Sequence, residues 1–479
     1  MSLRQLCALV AAAGLVVSSG AAASETDRLL EMLIEKQVLT QQEADAIRAE
    51  AAEEKEVEKV KLVGQEFGYE PTASLPVDDG AEIFVRRFGT QTADGSERFR
   101  IRGRVQLDAG WQDFSDDLVT VARENELADY GVIFRRVRLG ALGLMRERFE
   151  WQVELDFAEN AVEIDNTYMG YLMDHGGILK VGLFKEPFTL EYDTSSRYIT
   201  FMERSATVDT YKVNKEPGIL YESLKPNYHF ALGLFGSGVA FERNITEGFS
   251  VAGRGTVAPY QTEDAFVHLG AAVNFRRNDK DQALDAYLPL RLRTREGMRV
   301  IDARLVGRDD LEGVSDFTRY GLEFAAGRGS WWMQSEYIKV DLNLDPSRAM
   351  NPGDFRLPEG VTSITQDGWY FYTGYYLTGE KKQYRAMGGD FGNVRPNNNF
   401  NPGKGTWGAF ELAFGYSVAD SLEHTRPGRG QKLEKYVLGL NWFLTPEAMF
   451  KFNVIYLEGE RDGLTGDGWA YGARAQYFF

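Results

Sequence analysis

The chain has 479 residues, a net charge of -17 and one cysteine, Cys7. The acidic balance argues against nucleic-acid binding by the whole protein, and the cysteine count excludes a disulfide framework and cysteine-based zinc or redox chemistry. A 13% aromatic share and 50 glycines suit alternating strands better than a helical enzyme.

Residues 1–23 read as an export signal. Arg4 supplies the positive region, Leu6 to Val17 a short apolar run, and Ala21-Ala22-Ala23 the small-residue cleavage site, so the mature chain is expected to start near Ser24. Residues 24–63 read as a helical, coiled-coil-like segment. Leu29, Leu30, Leu33 and Ile34 recur at helical spacing, and Thr40 with Glu43 forms a capping box ahead of a second apolar face at Ala44 and Ile47. Such a segment is either a periplasmic stalk that oligomerises or a short amphipathic hairpin. Residues 64–97 read as a linker, polar and punctuated by Pro71 and Pro76.

From Arg98 the period of the sequence becomes two. Phe99, Ile101, Gly103, Val105, Leu107, Ala109 and Trp111 fall on one face, and Arg98, Arg100, Arg102, Arg104, Gln106, Asp108 and Gln112 on the other. Successive strand residues point to opposite sides, so this segment presents an apolar wall and a basic wall. The alternation recurs at Phe149–Phe157, at Val267–Arg276, at Lys435–Trp442 and at Trp469–Phe479. Short turns are expected at Asp174-His175-Gly176-Gly177, Lys225-Pro226-Asn227 and Thr445-Pro446-Glu447. Longer excursions are expected at Phe114 to Val132, Glu186 to Pro217 and Asp341 to Gln366. Alternating the two gives about 16 strands, an even number as single-chain bacterial barrels have. The Gly/Asn/Pro-rich stretch Gly379 to Gly405 is long yet falls on the short-turn side, and it is expected to fold into the lumen or against the barrel base. The fold class is therefore all-β, a 16-stranded antiparallel transmembrane β-barrel over 98–479 with the short α-helical segment before it.

Several runs resemble the phosphate-selective porin O/P family. They are Phe134-Arg135-Arg136-Val137-Arg138-Leu139-Gly140, Val181-Gly182-Leu183-Phe184-Lys185-Glu186-Pro187-Phe188, Thr200-Phe201-Met202-Glu203-Arg204-Ser205, Leu377-Thr378-Gly379-Glu380 and the terminal Gln476-Tyr477-Phe478-Phe479. The resemblance implies a 16-stranded porin of the Gram-negative outer membrane, in contact with its lipid. It also implies a homotrimer, loops folded into the pore, and a terminal aromatic, Phe479, of the kind read by the barrel-assembly machinery. The helical segment would lie in the periplasm. Phosphate-selective members place lysines on their inward loops, whereas the stretch Asn278 to Asp316 carries Arg291, Arg293, Arg295, Arg299, Arg304 and Arg308, with Lys280 alone. The resemblance thus implies a channel without fixing phosphate as its solute.

The residues themselves offer one feature with chemical content, the basic face. Arg98, Arg100, Arg102 and Arg104, with Arg136 and Arg138 on the next strand, point into water. Arg254, Arg276, Arg319 and Arg474 share lumen-facing parity. Lys185 and Arg204 flank a loop expected to narrow the pore. Its apolar residues Phe188, Leu190, Ile199, Phe201 and Met202 need shelter, and the barrel wall is nearest. Arginine keeps its charge and offers a planar fork that fits phosphate or carboxylate oxygens. Rungs about 7 Å apart on one strand face could hand an anion along. The alternative is that the same arginines pair with Glu150, Glu154, Asp156 and Glu323, leaving a non-selective diffusion pore. A structural role, tethering the envelope through the N-terminal helix, is a third reading. Histidines His175, His229, His268 and His424 are scattered without metal-ligand spacing, and no nucleophile elbow or phosphate loop occurs. The sequence therefore leads to no expectation of an enzyme, a cofactor or a metal. The expected partners are membrane lipid and small anionic solutes.

Overall fold

The computed structural model describes residues 73–76, 82–86, 88–92, 94–122, 129–158, 161–238, 244–292, 294, 298–300, 311–350, 361–421, 431–461 and 463–479. The expected signal peptide and helical segment lie outside these residues. Thr72–Met173 and Gly177–Phe479 form one compact unit, to which the following description is confined.

Sixteen strands close on themselves. They are β1 (Arg98–Phe114), β2 (Tyr130–Met145), β3 (Phe149–Asp156), β4 (Glu163–Met173), β5 (Gly177–Lys185), β6 (Lys215–Leu224), β7 (Tyr228–Phe235) and β8 (Phe249–Gln261), then β9 (Ala265–Arg277), β10 (Val314–Arg328), β11 (Trp331–Leu344), β12 (Ser363–Tyr376), β13 (Ala409–Asp420), β14 (Gln431–Phe443), β15 (Ala448–Arg461) and β16 (Leu464–Phe478). Each pairs antiparallel with its neighbour in sequence, and β16 returns to β1 with Phe478 opposite Arg104 and Gly468 opposite Phe114. Closure gives each of the sixteen strands a neighbour on both sides, as a medium that offers no hydrogen bonds requires.

The burial pattern is inverted relative to a water-soluble sheet. Trp111, Phe134 and Leu322 are 56%, 57% and 60% exposed, while Asp108, Arg254 and Arg474 on the other face are all but completely covered. Apolar side chains therefore face out, where lipid can solvate them, and charged ones face a shared interior. The alternation read from the sequence coincides with these two faces.

The two rims differ. At the turn rim, β2–β3, β6–β7, β8–β9, β10–β11 and β14–β15 are joined by connections of a few residues. At the loop rim the chain makes its long excursions, one of which contains the helix α1 (Asp116–Ala122).

The 64–97 stretch, expected as a linker, contains short strands at Ala73–Pro76, Glu82–Arg86 and Gly89–Thr92, paired in series. The reason lies at the closing seam. The last strand stops where Phe479 exchanges two backbone hydrogen bonds with Gly103. Beside that point Gly89–Thr92 pairs with Arg98–Arg100 and covers this part of the β1 edge. Phe88 packs its ring 4.6 Å from that of Phe479 at the junction.

A lumen crossed by loops from both rims

The connection from β5 to β6 does not stand above the loop rim but turns inside. Two short helices shape it. In α2 (Leu190–Asp193) the Thr189 hydroxyl accepts from Tyr192 N, and in α3 (Ala206–Tyr211) the Ser205 hydroxyl accepts from Val208 N. Its apolar residues Phe188, Leu190, Ile199, Phe201 and Met202 are buried, as their sequence required. The polar inner wall holds the backbone. Glu336 accepts from the amides of Leu190 and Glu191 at 2.8 Å each, Asn453 accepts from Met202 N at 2.8 Å, and the Ser417 hydroxyl from Ala206 N at 3.1 Å. Lys435 and Asn441 donate to the carbonyls of Arg204 and Thr200 at 2.8 and 2.9 Å.

The β12–β13 connection, residues 377–408, enters from the turn rim. Glu380, Lys382, Phe391 and Val394 are buried within it. Tyr384 stacks on Phe266 of β9 at 4.8 Å, and the Tyr384 hydroxyl meets His268 Nδ1 at 2.8 Å. Arg254 donates to Gly389 O at 2.7 Å. The sequence left open whether this stretch enters the lumen or lies on the base; it enters. The two loops touch, with Lys382 donating to the Thr200 hydroxyl at 2.7 Å and Phe391 N to the Thr194 hydroxyl at 3.3 Å. From the loop rim, the β9–β10 connection brings Leu292 and Met298 into the same buried cluster.

The predicted site residues fall into distinct situations. Arg98, Arg100, Arg102 and Arg104 lie along the inner face of β1, with Arg98 Nε on Gly95 O at the turn rim. Arg102, Arg138 and Arg104 converge on one carboxylate, Glu154, at 2.6, 3.4 and 3.8 Å. Arg104 also donates to the Ser196 hydroxyl at 2.5 Å. Arg138 further pairs with Asp156 at 2.6 Å and with Asp165, which Lys215 shares. Arg136 donates to Gln106 Oε1 at 2.9 Å. Arg474 grips Asp108 through two 2.7 Å bonds. Arg254 grips Glu323 in the same way and reaches Asp193 at 3.2 Å. Arg276 lies 3.3 Å from Glu186, and Arg319 donates to Asn274 at 2.8 Å with its guanidinium 4.5 Å from the centre of the Phe317 ring.

Lys185 and Arg204 stand differently from the expectation that they would face a passing ion. Both bind carbonyls of α2. Lys185 donates to Tyr192 O, Arg204 donates to Glu191 O, Tyr192 O and Thr194 O at 3.1 to 3.3 Å, and both flank the Tyr192 ring. The short helix ends inside the lumen with unpaired carbonyls, and these two cations satisfy them.

The sequence reading missed several charged groups of the same wall. Arg135, absent from the expected basic face, forms a two-pronged pair with Glu203 at 2.6 and 3.1 Å. The available signal was the spacing of Phe134 and Val137, both apolar, which breaks a period of two. Arg197 at the loop tip donates to the Ser195 hydroxyl at 3.3 Å and lies over Tyr198 and Phe478. Burial, together with the nearby Arg102 and Arg100, holds its guanidinium below the usual arginine range. Lys451, inward on β15, donates to the carbonyls of Ile199 and Thr200. Burial pushes the Asp193 carboxyl up to about 6 against the pull of Arg254 and Lys185.

A family model for phosphate-selective porins O and P matches residues 99–479. Porin O of Pseudomonas aeruginosa is 28% identical over 448 residues, spanning 85% of this chain and 95% of that protein. An uncharacterized protein of Caulobacter vibrioides is 28% identical over 394 residues, spanning 80% and 73%. Among solved structures, the outer membrane channel DcaP of Acinetobacter baumannii superposes with a TM-score of 0.48 at 14% identity, covering 80% of this chain and 98% of that one. An anion-selective porin from Comamonas acidovorans gives 0.47 at 10% identity, covering 80% and 100%. The family model spans the whole closed barrel, and this chain belongs to the phosphate-selective porin O and P family of outer-membrane porins.

Proposed function

We propose that the protein is a passive channel for small hydrophilic solutes that prefers anions, phosphate among them, and that it works without a cofactor and without catalysing a reaction. The turn rim would face the periplasm and the protein would act as a homotrimer. The single observation that carries the preference is the charge balance on the wall of β1 to β4 and β16. Three cations of that wall, Arg102, Arg104 and Arg138, together with Lys215 from β6, share three carboxylates, Glu154, Asp156 and Asp165. Arg135 and Arg474 are matched by Glu203 and Asp108. Arg136 and Arg197 bind neutral acceptors, so their charge is not cancelled on the spot. The balance along this wall is positive although the whole chain is acidic, and a pore field acts only over roughly a Debye length, about 8 Å at physiological salt.

The experiment is solute flux into liposomes with the full-length protein. Wild type should pass phosphate and chloride faster than cations of similar size. Changing Arg102, Arg104 and Arg136 together to Gln should reduce that preference while neutral-sugar flux continues. Equal anion and cation flux in wild type would leave a non-selective porin. The pairs Arg138–Asp156 and Arg254–Glu323 are the features that favour this second reading.

A further inference from the structure

Between β1 and β2 the inner wall breaks its alternation. Gln106 of β1 opposes Arg136, and Leu107 opposes Phe134, so Arg135 is the extra residue of a β-bulge. Phe134 and Val137 keep their outward places, and two successive arginines are turned inward between them. The bulge thus adds one cation to the lumen that strict pairing would have sent to the membrane.

That cation meets a carboxylate from the inward loop. Glu203 takes both prongs of Arg135 and also accepts from Arg474 Nη2 at 3.0 Å. The remaining donors of Arg474 go to Asp108 and, at 2.5 Å, to Met202 O. One carboxylate therefore joins the Phe201–Arg204 corner of the loop to β2 on one side of the closing seam and to β16 on the other. Burial opposes its ionisation, but Arg135 and Arg474 hold it well below the ordinary carboxylate range.

We propose that Glu203 is a selectivity-setting residue of the passage: it cancels the charge of the bulge arginine Arg135 and holds the loop corner at the seam, so that anions are attracted without being trapped. Conduction needs sites that are favourable enough to enter and weak enough to leave. An uncancelled Arg135 beside Arg136 and Arg474 would deepen the well. The inference rests on the channel reading above, but the sign of the Glu203 effect does not depend on which ion the wild type prefers.

The test is a double-mutant cycle on the full-length protein in planar bilayers, read as the chloride-to-potassium permeability ratio from zero-current potentials at low salt. Glu203→Gln keeps shape and one acceptor while removing the charge, and should raise the ratio on the order of three-fold. Arg135→Gln should lower it by a similar factor, and the double variant should return to within about 1.5-fold of wild type. Inorganic phosphate should block chloride current for longer in Glu203→Gln. Glu203→Asp, which keeps the charge but shortens the reach, should leave the ratio near wild type. Unchanged ratios in single variants that insert, or shifts of the same sign in both, would overturn the proposal. So would a Glu203→Asp shift as large as that of Glu203→Gln. Opposite shifts in a wild type that favours potassium would uphold Glu203 and contradict the anion reading instead.

Discussion

The Lys382 ammonium donates to the Thr200 hydroxyl at 2.7 Å while lying 4.0 Å from the centre of the Trp332 ring. Lys382 belongs to the loop that enters from the turn rim and Thr200 to the loop that enters from the opposite one. Their bond joins two segments that the chain separates by 182 residues. The wall supplies the third member, since the Trp332 indole donates to Glu411 at 2.8 Å and is thereby fixed.

Removing that joint should loosen both loops without opening the barrel. A cation over an aromatic face contributes about 0.5 to 2 kcal/mol, and a hydrogen bond about 1 kcal/mol. Lys382→Met should therefore lower stability by about 1 to 3 kcal/mol and increase open-channel current fluctuations, while Thr200→Val should show the weaker version of both. Single-channel noise and thermal loss of the barrel's heat-modifiable gel mobility measure the two effects. A Lys382→Met channel as quiet as wild type would remove the joint from the account.

Phe201 is seated on two glycines. Its ring meets Tyr372 edge-on at 4.7 Å, and a Cβ built on Gly415 or Gly439 would stand 2.7 or 2.9 Å from that ring. Gly439→Ala should displace the loop corner and cost about 1 to 3 kcal/mol by overpacking. Phe201→Ala should cost about 3 to 5 kcal/mol through the cavity it leaves. The Gly439→Ala and Phe201→Ala combination should be less harmful than the separate costs added together. Strict additivity in thermal unfolding would show that the seat is not shared.

Asp193 gives the channel a titration near neutral pH. Its carboxyl is pushed up to about 6 by burial, with Arg254, Lys185 and Glu323 as its charged neighbours and the His229 imidazole nearby. The folded value lies above the ordinary unfolded one of about 3.9. The group's contribution to stability is therefore full below about pH 4 and is lost as pH rises through about 6. Protonation also removes a negative charge from the lumen, so anion preference should increase as pH falls through about 6. Asp193→Asn should show the acidic preference throughout and no step. A step that survives in Asp193→Asn would assign the titration to another group.

Much of the barrel was legible because lipid imposes a two-residue period that no competing force disturbs on the outward face. The inward loop was legible too, since Phe188, Phe201 and Met202 had no other shelter. What could not be read followed from long-range closure. The strand at Gly89–Thr92 pairs with β1 beside the place where Phe479 bonds Gly103, a relation between residues some 380 positions apart. The carbonyl-binding roles of Lys185 and Arg204 depend on where α2 ends inside the lumen, which residue spacing does not report. Arg135 was lost because one inserted residue reverses the parity on which the assignment of faces depended.

The Arg474–Asp108 pair tests the cost of charge in this interior. Both side chains are fully covered, and the two 2.7 Å bonds satisfy the fork of the guanidinium. Asp108→Asn should destabilise by about 3 to 5 kcal/mol, because it leaves Arg474 buried beside Arg135 and Arg136 with one counter-charge fewer. Replacing both members, as Asp108→Leu with Arg474→Met, should recover most of that loss. Equal destabilisation by the single and double variants in denaturant unfolding would mean that the pair is not an electrostatic unit.

The zero-current potential of the wild-type channel in asymmetric potassium chloride tests the anion preference most directly. Measured at low salt, where screening is weakest, it should lie on the chloride side and fall toward zero as salt is raised. A potential on the potassium side would mean that Glu154, Asp156 and Asp165, rather than the arginines they bind, set the field that a solute meets.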